Sequence, residues 1–174
     1  MDNKKLIRLV LAALFAALVF VGTFYLHVTL PYGYFNFGDA FLLLAAWIVG
    51  GWYGAAAGGI GAAIADLALG YTMYAPVTLV IKALMALLAA VIAHTAARRG
   101  KTLGIAGLWL GAAAAELLMV GGYYVFEGCL YGFGAALASV PGNLLQGAAA
   151  VVTAGIVMSI LQSTDAVKRL GLSR

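Results

Sequence analysis

The sequence predicts an all-α integral membrane protein with six transmembrane helices, both termini cytoplasmic, and a single membrane domain over residues 1–174. Hydrophobic residues make up 65% of the chain and charged residues only 9%, with a mean hydropathy of +1.05. Too few polar side chains are present to cover a water-soluble surface. Apolar stretches of membrane-spanning length recur along the chain, and nine of its ten basic residues lie outside them.

Four spans are plain from their apolar length, at about residues 6–26, 76–96, 104–126 and 141–162. The region 39–70 is too long for one span, and its middle, from Val49 to Gly54, is rich in glycine. We therefore predict two short helices at 39–50 and 54–70, the first of them tilted or not fully crossing the bilayer.

The positive-inside rule supports six crossings. With the N-terminus inside, the outer connections 27–38, 71–75 and 127–140 contain no Lys or Arg. A single span over 39–70 would place the basic cluster at residues 98–101 outside. A re-entrant hairpin there satisfies the charges equally well, but two spans account better for its length. The basic clusters that the six-span arrangement places inside are Lys4, Lys5, Arg8; Arg98, Arg99, Lys101; and Lys168, Arg169, Arg174.

Lys82 is the one basic residue within a long apolar stretch, and it lies about two turns below the outer end of its helix. Most other polar residues of the spans also fall in the outer half, which indicates a cavity open to the outside. A few polar groups in an apolar and aromatic wall are typical of small-molecule pockets. The predicted substrate-binding residues are Asn36, Asp39, Tyr74, Lys82, Glu116, Tyr123, Glu127, Asn143 and Gln146.

Each of these residues also has a structural interpretation, which the sequence leaves open. Lys82 and Asp66 lie at similar depth on consecutive helices, so an ion pair is as good an interpretation as ligand contact. Asn143 and Gln146 could be interhelical hydrogen-bond partners. Glu127 could be a solvated charge at the rim, Glu116 a paired or protonated group near the midplane, and Tyr71 and Tyr74 members of the interfacial aromatic belt.

Small residues at four-residue spacing predict close helix packing. One row is Gly50, Gly54 and Gly58, and a second runs through Gly51, Ala55, Gly59 and Ala63. The first span carries the pairs Ala12/Ala16 and Ala13/Ala17, which could pack within the monomer or against another subunit.

The chain does not present the motifs of an enzyme. It contains no HExxH pattern, no nucleophile elbow and only one cysteine, Cys129. The Gly-Lys-Thr at residues 100–102 lacks the first glycine and the preceding strand of a P-loop. We therefore predict no catalytic residues, no metal and no cofactor. A lipid-modifying membrane enzyme and a structural membrane subunit remain the alternatives to a substrate-binding protein.

An ordered set of segments resembles the substrate-binding S components of energy-coupling factor (ECF) transporters, in the riboflavin-like branch that includes pyridoxine and hydroxymethylpyrimidine carriers. The resemblance covers nearly the whole chain. Its segments are Asn36-Phe-Gly-Asp39, the run Gly50–Gly70 with Ala65-Asp66-Leu67, Tyr74 to Lys82, Gly121 to Glu127, and Pro141 to Gln146.

The resemblance implies a small six-helix protein of a prokaryotic cell membrane that captures a vitamin or precursor from outside. It also implies partners, namely a membrane T component and two cytosolic ATPases that supply the energy. In such proteins an alanine-rich face of the first helix docks the T component, which here corresponds to Ala12, Ala13, Ala16 and Ala17. The loop at 27–38 would act as a lid, and the protein would topple in the bilayer to carry its pocket inward.

Overall fold

The computed structural model describes residues 3–29 and 34–164, and helices dominate it. The elements in chain order are α1 (Asn3–Phe24), β1 (His27–Thr29), β2 (Tyr34–Asn36), α2 (Gly38–Ile48), α3 (Gly51–Leu69), α4 (Ala75–Ala97), α5 (Lys101–Tyr131), α6 (Phe133–Ala136) and α7 (Val140–Ser163). The third basic cluster, from Lys168 onward, lies outside the described residues.

Five of the described helices are long and apolar enough to cross a membrane, and α2 is a shorter apolar helix between the first two of them. The predicted all-α membrane fold is therefore confirmed. The chain passes inward along α2, outward along α3, inward along α4, outward along α5 and inward along α7. This order puts the connections at Gly50 and at residues 98–100 on the cytoplasmic side, as the basic residues predict.

The short helix α2 is recessed into the bundle. Its 11 residues span about 16 Å, roughly half the hydrocarbon thickness. Asp39, at its start, contacts Lys82, which lies seven residues and about 10 Å into α4. The start of α2 therefore lies well below the outer ends of α4 and α7. Nearly every residue of α2 is buried, which explains how a helix too short to span is held in the membrane.

The turn between α2 and α3 is tighter than the sequence predicted. The helices end and begin at Ile48 and Gly51, whereas we expected them to end at 50 and begin at 54. Gly50 and Gly51 have φ angles of 70° and 51°, a left-handed backbone that glycine adopts without steric cost. The two-glycine turn lets the chain reverse at once, so α3 begins three residues earlier than predicted.

Small residues of α3 pack directly on three neighbouring helices. A Cβ on Gly54 would lie 3.0 Å from the carbonyl oxygen of Ala45 in α2, and one on Gly59 would lie 2.7 Å from that of Leu79 in α4. A Cβ on Gly61 would overlap the carbonyl oxygen of Ala16 in α1. The glycine rows thus serve close helix packing within the monomer, in agreement with the prediction from their spacing.

Residues 27–36, for which we predicted a loop, include an antiparallel β-hairpin. His27 pairs with Asn36 and Val28 with Phe35. At the end of the hairpin that leads into α2, Asn36 is buried, whereas Val28 is 60% exposed. Asn36 therefore lies inside the bundle, at the level where α2 begins.

Candidate functional site

An outward-facing cleft lies between the hairpin and helices α1, α3, α4, α5 and α7. Its empty volume is about 510 Å³, which includes the open space at its mouth. The residues that line it are Thr23, Asn36, Ala62, Asp66, Tyr71, Tyr74, Thr78, Lys82, Tyr123, Glu127, Asn143 and Gln146.

Lys82 forms a buried ion pair at the base of this cleft. Its Nζ lies 2.5 Å from Oδ1 of Asp39, and the two side chains are 5% and 2% exposed. From the sequence we expected Asp66 to be the carboxylate of any such pair. The ion pair is formed instead with Asp39, because the recessed start of α2 brings this carboxylate to the depth of Lys82. Lys82 also lines the cleft, so the pair and ligand contact are compatible.

Gln146 joins this ion pair to the hairpin. Its Nε2 donates to Oδ2 of Asp39 at 2.6 Å. Its Oε1 accepts from the backbone N–H of Asn36 at 3.0 Å and from Asn36 Nδ2 at 2.9 Å. The carboxylate of Asp39 therefore holds an ammonium from α4 with one oxygen and an amide from α7 with the other. Such a continuous buried network fixes the geometry of several elements at once.

Asn36 completes the network by a second set of bonds. Its Oδ1 accepts from the backbone N–H of Gly38 at 2.8 Å, which satisfies one of the amides that a helix start leaves open. Thr23, near the end of α1, donates to the same oxygen at 3.4 Å. A side chain on Gly38 would overlap the hydroxyl of Thr23, so glycine is required for this close approach. One asparagine thus links α1, β2, α2 and α7.

The wall formed by α4 and α5 is aromatic. The hydroxyls of Tyr123 and Thr78 are 2.9 Å apart, and Lys82 Nζ lies 5.7 Å from the centre of the Tyr123 ring, within cation–π range. Because Thr78 and Lys82 are four residues apart on α4, both side chains lie on the face toward Tyr123. This wall presents a ring, a hydroxyl pair and an ammonium to the cleft.

At the outer rim of the cleft, Glu127 accepts hydrogen bonds from two neighbouring segments. One of its carboxylate oxygens accepts from the hydroxyl of Ser139, and the other accepts from Tyr74 at 3.4 Å. Glu127 is 7% exposed, so it is a bonded group of the wall and not the solvated charge that was one interpretation. Burial, together with hydrogen bonding to Tyr131 and the charge of Glu127, raises the pKa of Tyr74 above its usual range. The hydroxyl is protonated at neutral pH, as in a free tyrosine, and donates to Glu127.

The structure brings seven of the predicted substrate-binding residues together in the lining of the cleft: Asn36, Tyr74, Lys82, Tyr123, Glu127, Asn143 and Gln146. Asp39 does not line the cleft, but it holds Lys82 and Gln146 from behind. Glu116 does not line the cleft either, since its side chain lies against Gly147 of α7. Whether these residues bind a ligand stays a prediction.

Sequence reasoning missed two of the lining hydroxyls. Thr78 could have been found, because it precedes Lys82 by one helical turn on the same face. Thr23 had no such signal, since it lines the cleft only because α1 ends beside the recessed hairpin. Tyr71, first interpreted as a residue of the aromatic belt, also lines the cleft, as does Asp66.

The alanines predicted as a docking face divide between two sides of α1. Ala12 is buried, and the carbonyl of Ala16 lies against Gly61 of α3. Ala13 and Ala17 are exposed. The expectation was therefore wrong for Ala12, which packs inside the monomer, and a partner could reach only the side of α1 that carries Ala13 and Ala17.

Among the described residues, no group of three or more His, Cys, Asp and Glu side chains gathers as metal ligands would. The cleft instead offers both hydrogen-bond donors and hydrogen-bond acceptors. Lys82 keeps two N–H donors beyond the one bonded to Asp39, and Glu127 and Asp66 supply carboxylate oxygens. With tyrosine rings beside them, these groups suit a flat, polar ring compound.

Comparison with known proteins gives a family match over nearly the whole chain. A sequence model of the ECF-type riboflavin transporter S component matches residues 3–163. A thiamine precursor transporter, HmpT, of Lactococcus lactis subsp. cremoris (strain MG1363) is 28% identical over 167 residues, which cover 94% of this chain and 93% of that protein. An uncharacterized protein of Pyrococcus woesei is 32% identical over 155 residues, which cover 88% of this chain and 97% of its own length.

Proposed function

Because the chain belongs to the family of ECF-type riboflavin transporter S components, we propose that its outward cleft is the site at which a vitamin or vitamin precursor is captured. The protein is a multi-pass component of a prokaryotic cell membrane and acts in transport, not as an enzyme. The observation that carries the proposal is the position of the cleft, which opens outward and has Lys82, Gln146 and Asn143 in its wall.

The substrate that we propose is a small, water-soluble heterocycle of the riboflavin, pyridoxine or hydroxymethylpyrimidine class. The relative from Lactococcus lactis is named a thiamine precursor transporter, which favours a pyrimidine within this class. The cleft suits such rings because tyrosines supply flat apolar surfaces and the polar groups around them can fix the orientation of the ligand.

The hydrogen bonds behind the wall of the cleft support different roles for its polar residues. Lys82 can donate to a ring nitrogen or carbonyl of the ligand without breaking its bond to Asp39, because an ammonium has three donors. The amide oxygen of Gln146 already accepts two hydrogen bonds from Asn36, and one of its two N–H groups donates to Asp39. Only the second N–H of this side chain remains for a ligand. Asn143 supplies a further amide in the lining. We propose Lys82 and Asn143 as the main hydrogen-bonding contacts, with Asp39 and Gln146 holding the wall in place.

We further propose that a membrane T component and two cytosolic ATPases energise uptake, as is general for ECF systems. The T component would contact the exposed side of α1 that carries Ala13 and Ala17. Small side chains there leave a smooth surface on which another helix can pack closely.

Calorimetric titration of the purified protein with riboflavin, pyridoxine and hydroxymethylpyrimidine tests the substrate proposal. Calorimetry is preferred to tryptophan fluorescence because none of the three tryptophans lines the cleft. We expect submicromolar binding of at least one compound and binding about tenfold weaker in Asn143→Ala. If none of the three binds below micromolar concentrations, the proposed substrate class is wrong.

A further inference from the structure

The cytoplasmic start of α1 carries an arginine that is turned toward the rest of the protein. Four and eleven residues after Arg8, Ala12 and Val19 are buried, so Arg8 belongs to the inward face of this helix. Among the described residues, the Nε of Arg8 is enclosed and has no hydrogen-bond partner. A guanidinium is always charged, and enclosing it is costly unless an acceptor or an anion satisfies its donors. An anion from outside the described chain would satisfy this group.

Arg8 lies at the level where α3 begins. Helices α1 and α3 both run outward, and they touch where a Cβ on Gly61 would overlap the carbonyl of Ala16. Arg8 and Tyr53 each precede this contact by eight residues, so they lie at the same depth. Next to Tyr53, Trp52 is 78% exposed, as is typical of tryptophan at the boundary between hydrocarbon and headgroups. The guanidinium therefore lies at the depth of the cytoplasmic lipid headgroups.

The cytoplasmic end of the protein is basic. Lys5 is exposed one turn before Arg8, and Arg98 and Arg99 are exposed between α4 and α5. Every acidic residue that the structure describes lies nine or more residues along its helix from this end, the nearest being Asp39 at the start of α2. None of these carboxylates is placed to neutralise Arg8. Each Lys or Arg near the membrane surface attracts anionic lipid with about 1 kcal/mol.

We propose that the seam between the starts of α1 and α3 binds the phosphate group of an anionic phospholipid of the cytoplasmic leaflet, with Arg8 as its main contact. A guanidinium can donate two parallel hydrogen bonds to phosphate oxygens. The residues that follow Arg8 on the outward side of α1 are apolar, with Leu9 53% and Val10 59% exposed. A molecule held here lies against hydrocarbon, which fits the acyl chains of a lipid and not a free phosphate. This inference is independent of the ligand that the cleft binds.

The seam lies on a different side of α1 from the surface that we propose for the T component. Successive residues of a helix are rotated by about 100°, so Ala17, nine residues after Arg8, points to the opposite side of α1. A subunit that docks on the exposed side with Ala13 and Ala17 therefore does not cover Arg8. The seam stays open to lipid while that surface is occupied.

Quenching of Trp52 fluorescence by brominated lipids tests this site, because its ring lies at the level of Arg8. In the full chain, Trp47→Phe and Trp109→Phe leave Trp52 as the sole tryptophan. This protein is reconstituted in phosphatidylcholine that contains either brominated phosphatidylglycerol or brominated phosphatidylcholine. We expect phosphatidylglycerol to bind about tenfold more tightly than phosphatidylcholine, the equivalent of one charge-assisted contact. Equal quenching by the two lipids overturns the proposal.

Charge variants separate a site at Arg8 from the general attraction of a basic surface. Arg8→Gln should abolish most of the preference for phosphatidylglycerol, whereas Arg8→Lys, which keeps the charge without the planar fork, should retain part of it. Arg99→Gln removes the same charge from the turn between α4 and α5, and it is the matched control, with an unchanged preference expected. If Arg99→Gln lowers the preference as much as Arg8→Gln does, the assignment to Arg8 is wrong. Should Arg8→Gln fail to fold, the preference of the unsubstituted protein and of Arg8→Lys still decides the question.

Two further measurements distinguish a lipid from other anions. Inorganic phosphate at millimolar concentration should leave the quenching of Trp52 unchanged, and displacement of the lipid by phosphate would show a site for soluble anions and overturn the proposal. Copurification with the T component should be the same for Arg8→Gln and the unsubstituted protein. If the variant loses this subunit but keeps its lipid preference, Arg8 contacts a protein and the proposal is wrong.

Discussion

The ion pair between Lys82 and Asp39 makes the most demanding prediction about stability. Asp39→Ala would leave the ammonium of Lys82 buried without the carboxylate that lies 2.5 Å away, in surroundings where the two side chains are 5% and 2% exposed. Removing one partner of a buried pair typically costs about 3–5 kcal/mol. The substitution also deprives Gln146 of its acceptor, so we expect a loss of free energy of unfolding near the upper end of that range.

The double variant Asp39→Ala/Lys82→Met is the decisive comparison. It removes the stranded charge together with the carboxylate, so only the unbonded amide of Gln146 remains, at a cost of about 1–3 kcal/mol. The double variant should therefore be more stable than Asp39→Ala alone, although it carries one more substitution. The double variant should exceed Asp39→Ala in free energy of unfolding by about 2–4 kcal/mol, so the two substitutions should be strongly non-additive.

Asp39→Ala, Lys82→Met, the double variant and the unsubstituted protein form a double-mutant cycle. Reversible unfolding in mixed micelles with increasing denaturing detergent would measure the free energy of unfolding of all four. Additive effects, within about 0.5 kcal/mol, would show that the two residues are not energetically coupled and would refute the reasoning from the pair. The same proteins also report on the ligand. If Lys82 donates to it, the double variant should lose about 10- to 100-fold in affinity, the equivalent of one hydrogen bond from a charged donor.

The remaining predictions concern Asn143 in the wall of the cleft, the exposed side of α1 and the packing of α3. Asn143→Ala should weaken ligand binding about tenfold without lowering the unfolding midpoint; an equal loss of both would assign Asn143 a folding role. Ala13→Trp should abolish uptake by cells while the purified protein still binds its ligand, and normal uptake would remove the docking proposal. Gly61→Ala should lower the free energy of unfolding by about 1–3 kcal/mol, because its methyl group overlaps the carbonyl of Ala16, whereas Gly121→Ala, with open space at its Cβ, should be neutral or slightly stabilising.

The local composition of the chain was sufficient to predict the helices and most of the cleft. Apolar length and the basic clusters predicted the order of the crossings, since in a bilayer both are dictated by the cost of burying charge and of leaving backbone groups unbonded. Helical periodicity placed polar residues at their depths, which is why Lys82, Tyr123, Asn143 and Gln146 appear in the lining as predicted. Glu116 has a similar depth and still lies elsewhere, because depth does not specify which neighbouring helix a side chain faces.

The partner of Lys82 shows where such reasoning ends. Sequence order favoured Asp66 because it belongs to the preceding helix, but the depth of α2 depends on how far the hairpin inserts. That insertion is maintained by bonds between residues 110 positions apart, Asn36 and Gln146, and by the close approach of Gly38 to Thr23. Contacts of this kind leave no periodic signal in the sequence.

The sequence by itself determined that this protein is a six-helix membrane component with an outward concentration of polar groups, because the bilayer acts on each segment separately through its hydropathy and charge. Only the tertiary structure decided that α2 is recessed, that Asp39 neutralises Lys82 and holds Gln146, and that Ala12 faces the interior. These features depend on the relative depth and rotation of helices, which are set by side-chain packing and buried hydrogen bonds between distant parts of the chain.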